Sequence, residues 1–296
     1  MNNLELILDG LMRRYKERVP DVNRVITAMI AEGLIKEEQE IENDHIAFRT
    51  IGVPHLGIQS LEKIFIYHGY TKKDYYYFEE KKLDAYWYAP PDPKLPRIFI
   101  SELRVKDLSA EAQQIIHSYT DEVTSDPVDA LNLDNPEQVD KFLHSGLWRL
   151  PTYADFSALA AESEYASWTI YNRYYLNHFT ISVHNLKDEY NHIEQYNQFL
   201  EKHGLKLNDA GGKFKKSPDG LLLQSSTVAS MIEATFAVND THRIAGSYVE
   251  FAERRLLPEF EQLQSAEVNR THRREGFEAA NANKIFESTY SSQTNK

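Results

Sequence analysis

Two segments of this chain open a β-strand on a histidine: "HIAFRT" from His45 and "HFTISV" from His178. The stretches downstream of the two are also alike. A helical stretch with inward apolar residues comes next and stops at a glycine, in "YHGY" at Gly69 and in "KHGL" at Gly204. Further strands come after it, and each copy closes on a strand with an acid near its middle, Glu102 in "FISELRV" and Glu250 in "SYVEFAE". One such match is weak, but several in the same order indicate an internal repeat, and a repeat restricts the fold more than any local pattern. Each copy reads β, α, β, β, β.

The expected fold class is therefore α+β: two βαβββ modules around a shared cavity, with added helices. The first module covers 41–105 and the second 171–256, in one domain spanning 1–296. Residues 1–40 read as two amphipathic helices. Leu4, Ile7, Leu8 and Leu11 form one apolar face, Pro20 ends it, and Val22, Val25, Ile26 and Met29 repeat it. The insert 106–170 is mainly helical, with "TYADFSALAAESEYASWTIYN" as its last helical stretch, and 257–296 forms a C-terminal segment. "GKFKKSPDGLLLQSS" reads as a hairpin turning at Ser217–Gly220, with its lysines on a solvated turn.

Side chains alternate along a strand. His45, Ala47 and Arg49 thus share a face opposite Ile46 and Phe48. His178, Thr180, Ser182 and His184 share one opposite Phe179 and Ile181, and Tyr248, Glu250 and Arg254 one opposite Val249 and Phe251. A polar sheet face is ordinarily the solvated one, but chance does not place His at the same module position twice. Two imidazoles and a carboxylate from three strands form the ligand set of a facial triad, which suits Fe(II) and leaves positions open; the donors alone also admit Mn, Ni or Zn. His184 competes as a ligand, and Glu102 stands as a fourth. Glu253 is set aside because it lies on the other face. Arg49 offers a fixed fork of donors for a substrate carboxylate, or a salt bridge to Glu42 or Asp44.

Composition narrows the chemistry. There is no cysteine, which removes disulfides, thiol nucleophiles and thiolate metal sites. A net charge of −12 disfavours nucleic-acid binding. No apolar leader region and no run of about 18 apolar residues occur, so no membrane helix is expected and the cytosol is the expected compartment. Oligomeric state is not legible.

"DHIAFRT", "NHFTISV", "GSYVEFAER" and "REGFEAANANKIFEST" together resemble the 2-oxoadipate dioxygenase/decarboxylase (2-hydroxyglutarate synthase) family, of vicinal-oxygen-chelate type. That resemblance implies Fe(II) held by His45, His178 and Glu250, with Arg49 binding the substrate carboxylate. It also implies oxidative decarboxylation of a 2-oxo diacid by O₂, with 2-oxoadipate giving 2-hydroxyglutarate and CO₂. A glyoxalase-type lyase or isomerase using four protein ligands, and a non-catalytic binding protein of the same fold, are the alternatives. The chain is shorter than bacterial members of that family, which leaves the substrate open.

Overall fold

The computed structural model describes residues 2–296. Helices α1 (Asn3–Arg18) and α2 (Pro20–Ala31) come first. Asn2 and Glu5 form a capping box at the start of α1, and Pro20 opens α2 at a position where a missing N–H costs nothing. Pro20 therefore starts a helix as well as marking the end of one.

The first module comes next: β1 (Asn43–Ile51), α3 (Ile58–Tyr67), β2 (Thr71–Phe78), β3 (Leu83–Ala89) and β4 (Arg97–Leu103). The insert holds α4 (Ala110–Thr120), α5 (Pro136–Leu143), α6 (Tyr153–Glu162) and α7 (Glu164–Asn172). The last expected helical stretch is split at Ser163, whose side chain accepts the Ala166 N–H and caps α7.

The second module comprises β5 (His178–Ser182), α8 (Ile193–Lys202), β6 (Lys215–Lys216), β7 (Leu222–Ser226) and, after a separate hairpin of β8 (Met231–Thr235) and β9 (Thr241–Ala245), the closing strand β10 (Tyr248–Arg254). That hairpin forms its own two-stranded sheet and is not expected from the sequence; its strands are half exposed and lack a clean alternation. Helix α9 (Ala279–Ile285) lies in the C-terminal segment.

One eight-stranded sheet runs β2-β3-β4-β1-β5-β10-β7-β6 and curls into a half-barrel. Its order is the same read from either end: β1 and β5 meet antiparallel at the centre, and each pairs in parallel with the closing strand of its own module. Ala47 lies opposite His178 and His45 opposite Thr180, so exchanging the modules maps His45 onto His178. Gly69 and Gly204 end α3 and α8 with φ of 91° and 73°, a left-handed cap that glycine adopts without strain.

Register corrects the pairing of acids inferred from sequence. His45 stands opposite Arg97 and His178 opposite Tyr248. Two residues along each closing strand, Phe99 and Glu250 are equivalent; five residues along, Glu102 and Glu253 are. Glu102 accepts the Ile58 N–H at the start of α3 (2.7 Å), and Glu253 the Ile193 N–H at the start of α8 (2.8 Å). Both acids serve helix N-termini, where backbone N–H groups need acceptors. A second correction concerns the basic turn. Lys215 is buried, its ammonium donating to the carbonyls of Asn208 and Gly212, and burial lowers its pKa to about 8.

Candidate metal centre

His45, His178 and Glu250 meet on the inner face of the sheet, where β1, β5 and β10 run side by side. One ligand atom from each lies within 4.8 Å of the others, and all three side chains are buried. Glu250 Oε2 is 3.0 Å from His178 Nε2, and Oε1 is 3.5 Å from His45 Nε2. Three acceptor-capable atoms facing one point in a dry setting fit a divalent ion with nitrogen and oxygen preference.

The ring orientations are set from behind. His45 Nδ1 is 2.8 Å from Asp44 Oδ1, and His178 Nδ1 is 3.0 Å from Asn177 Oδ1. With Nδ1 occupied, each Nε2 is the atom presented inward, the arrangement that tunes a metal-binding imidazole. Glu250 is held by Gln224, whose amide donates to Oε1 at 2.6 Å, and Asn281 on α9 donates to Gln224 Oε1 at 3.1 Å. Asp44 is itself fixed by Arg254 (2.6 and 3.0 Å) and Arg97 (3.2 Å).

The charges respond to this crowding. Burial works against ionised Glu250, yet the two imidazoles hold its pKa well below the usual carboxylate range. Burial lowers His178, and Glu250 offsets this only in part. His45 is raised, because Glu250 and Asp44 together outweigh its burial. An ionised carboxylate buried between two imidazoles suits a cation at its centre, which takes the place of the imidazole protons.

Arg49 is buried farther along β1. Its Nη1 donates to Thr289 Oγ1 (3.0 Å) and its Nη2 to the Phe286 carbonyl (3.1 Å), while Nε has no partner. No carboxylate among the described residues pairs with it. The salt bridge to Glu42 or Asp44 is not formed, since Asp44 belongs to Arg254 and Arg97. Aromatic faces surround the guanidinium: Tyr165 at 5.1 Å, Trp168 at 5.0 Å and Phe286 at 5.7 Å.

The remaining candidates lie elsewhere. β5 ends at Ser182, so His184 leaves the strand; its Nδ1 accepts the Arg254 N–H at 3.1 Å, away from the triad. Glu102 faces α3 on the far side of β4. Asp44, Asn177, Gln224 and Tyr248 are site residues that the sequence reading misses. Asp44 and Asn177 carry a readable signal, since each precedes its module's histidine.

A small cavity adjoins the triad, walled by Phe99, Tyr248, Phe277, Ile285 and Phe286. Phe277 meets the His45 ring edge-on at 4.8 Å and packs on Phe99 at 5.0 Å. The C-terminal segment thus roofs the site.

Comparison with known proteins agrees with this geometry. A family model described as 2-oxoadipate dioxygenase/decarboxylase matches residues 7–264. The chain is 45% identical over 271 residues to the Arabidopsis thaliana protein "2-oxoadipate dioxygenase/decarboxylase, chloroplastic", covering 88% of this chain and 71% of that protein. It is 46% identical over 297 residues to the Oryza sativa protein of the same name, "chloroplastic/amyloplastic", covering 97% and 79%. The crystal structure of hydroxyglutarate synthase from Oryza sativa in complex with 2-oxoadipate superposes with a TM-score of 0.88 at 41% identity, covering 98% of this chain and 93% of that one.

These names correct the cytosolic expectation, because both relatives are named for the plastid. That expectation rests on a missing apolar leader, which serves the secretory route alone; organelle import uses polar, amphipathic leaders. The correspondence spans both modules and the segments between them, and the chain belongs to the 2-oxoadipate dioxygenase/decarboxylase family.

Proposed function

We propose that this chain is an Fe(II)-dependent oxygenase that converts a 2-oxo diacid, 2-oxoadipate, and O₂ to 2-hydroxyglutarate and CO₂. The observation that carries the reading is the buried His45–His178–Glu250 cluster together with the Arg49 guanidinium on the same strand face as His45, which has no carboxylate partner among the described residues. The structure of a 41% identical relative holding 2-oxoadipate supports the substrate. Both modules act as one unit, because neither alone contributes the three ligands.

His45, His178 and Glu250 would hold the ion, which when bound supplies a coordination site for the 2-oxo acid and the electrons that activate O₂. The protein's own residues do the rest. Asp44 and Asn177 fix the imidazoles, and Gln224 fixes one oxygen of Glu250, so the pocket is organised before substrate arrives. Arg49 pairs with the distal carboxylate and sets the length and direction of the diacid. Phe99, Phe277 and Phe286 exclude water from the reacting end. In the net reaction the C1–C2 bond breaks, C1 leaves as CO₂, and both atoms of O₂ enter the product, one in the new carboxylate and one in the hydroxyl.

A four-ligand lyase is disfavoured by Glu102, the acid it requires, which is engaged at α3. The test is O₂ uptake by protein purified without air and supplied with Fe(II). Equimolar O₂ consumption and CO₂ release on 2-oxoadipate, with both labels of ¹⁸O₂ in 2-hydroxyglutarate, is the expected result. Turnover of 2-oxoadipate without O₂ consumption would overturn it.

A further inference from the structure

Tyr248 opens the closing strand two residues before Glu250 and on its face. Its ring stacks on His178 (centroids 4.8 Å apart, 30° between planes) and forms part of the cavity wall. The side chain is fully buried, and its hydroxyl makes no hydrogen bond of proper geometry. A buried hydroxyl in a folded protein is almost always bonded, so an orphan asks for a reason. Arg49 supplies one. Its guanidinium lies over the ring of Phe286 and donates to the Phe286 carbonyl, and Phe286 shares the cavity wall with Tyr248. Arg49 Nε is likewise buried without a hydrogen bond of proper geometry. A cation and a phenol, each with a donor to spare, thus flank the same cavity wall.

We propose that the Tyr248 hydroxyl donates a hydrogen bond to the distal carboxylate of the diacid, the same group that Arg49 holds, making Tyr248 a determinant of diacid specificity. This rests on the proposed role of Arg49. A carboxylate has two oxygens and lone pairs to spare, so it accepts from the guanidinium and the phenol together. A methyl group in its place would leave both donors buried and unbonded, a penalty that a site built for a polar group imposes on analogues lacking it.

The experiment compares 2-oxoadipate with 2-oxohexanoate, which has the same chain length without the distal carboxylate. Wild type and Tyr248→Phe are assayed on both, and bound metal is measured in each. The variant is expected to keep its metal, to raise KM for 2-oxoadipate about tenfold, as loss of a hydrogen bond to a charged group does, and to narrow the preference for 2-oxoadipate over 2-oxohexanoate by about the same factor. Melting temperature without substrate should hold or rise, since the variant loses only an unbonded hydroxyl, while the upward shift given by 2-oxoadipate without O₂ should shrink. An equal loss on both acids, an unchanged preference for the diacid, or a marked fall in the substrate-free melting temperature would each overturn the inference alone. A wild type that does not distinguish the two acids would overturn the role of Arg49 with it.

Discussion

Glu102 and Glu253 hold equivalent places in the two modules and accept the first helical N–H of α3 and α8, yet their pKa values move in opposite directions. Glu102 is raised, by burial first and then by nearby Asp84 and Glu62, against the pull of the Ile58 N–H and Lys72. Glu253 is lowered, because Arg255, the Ile193 N–H and His192 together outweigh its burial. For Glu253 the folded state favours the charged form. Its stabilisation is complete above the ordinary value of 4.5 and is lost as pH falls through the lower folded value. For Glu102 the folded state favours the protonated form, and the fold gains as pH falls from above its raised value toward 4.5. Glu253→Gln should therefore cost most at neutral pH, about 1–2 kcal/mol as for a lost helix cap, and less below pH 4.5. Glu102→Gln should cost least at neutral pH. Urea melts of both variants across the range from about pH 4 to about pH 7 test the pair, and parallel profiles would refute it.

Replacing His45, His178 or Glu250 by Ala should abolish stoichiometric metal, whereas Glu102→Gln and His184→Ala should keep it. Metal analysis after anaerobic loading decides. Full retention in Glu250→Ala would remove that residue from the ligand set.

Asp44 joins His45 to two buried arginines. Asp44→Asn leaves Arg254 and Arg97 without their shared charge, so stability should fall by about 3–5 kcal/mol. Asn177→Ala disturbs only the His178 ring and should spare the fold while weakening metal affinity about 10–100-fold. Chelator competition and thermal melts separate the two effects. Equal behaviour of the two variants would mean that the histidine supports are not what distinguishes them.

Arg49→Lys should keep the metal and lose at least about tenfold in kcat/KM on 2-oxoadipate. A charge-assisted pair in a dry site is worth about 2–5 kcal/mol, and an ammonium does not reproduce the planar fork. An unchanged kcat/KM would take Arg49 out of the substrate site.

The duplicated architecture and the approach of His45 to His178 are legible in the sequence because they rest on local signals: strand alternation, helix-ending glycines and their order. The match of Glu102 with Glu250 fails, because an acid at mid-strand does not reveal register. Register is fixed by the hydrogen bonds that place Arg97 beside His45 and Tyr248 beside His178. Lys215 reads as solvated because its burial comes from a preceding loop that folds back on it and from distant chain. The Asn208 carbonyl takes its ammonium, and α9, whose Asn281 bonds the Lys215 carbonyl, covers it. The lack of a carboxylate beside Arg49 is likewise a property of three dimensions alone.

Phe99 sits where symmetry would put a second Glu250. A scaffold made of two like halves offers four seats around its centre, a histidine and a closing-strand residue from each. Three are occupied by candidate ligands and the fourth by a hydrocarbon ring that borders the cavity. A hydrocarbon ring cannot ligate, so an ion seated among the other three would keep one side that the protein does not fill. Asymmetry between otherwise matched halves, more than any added element, is what would leave such a centre open.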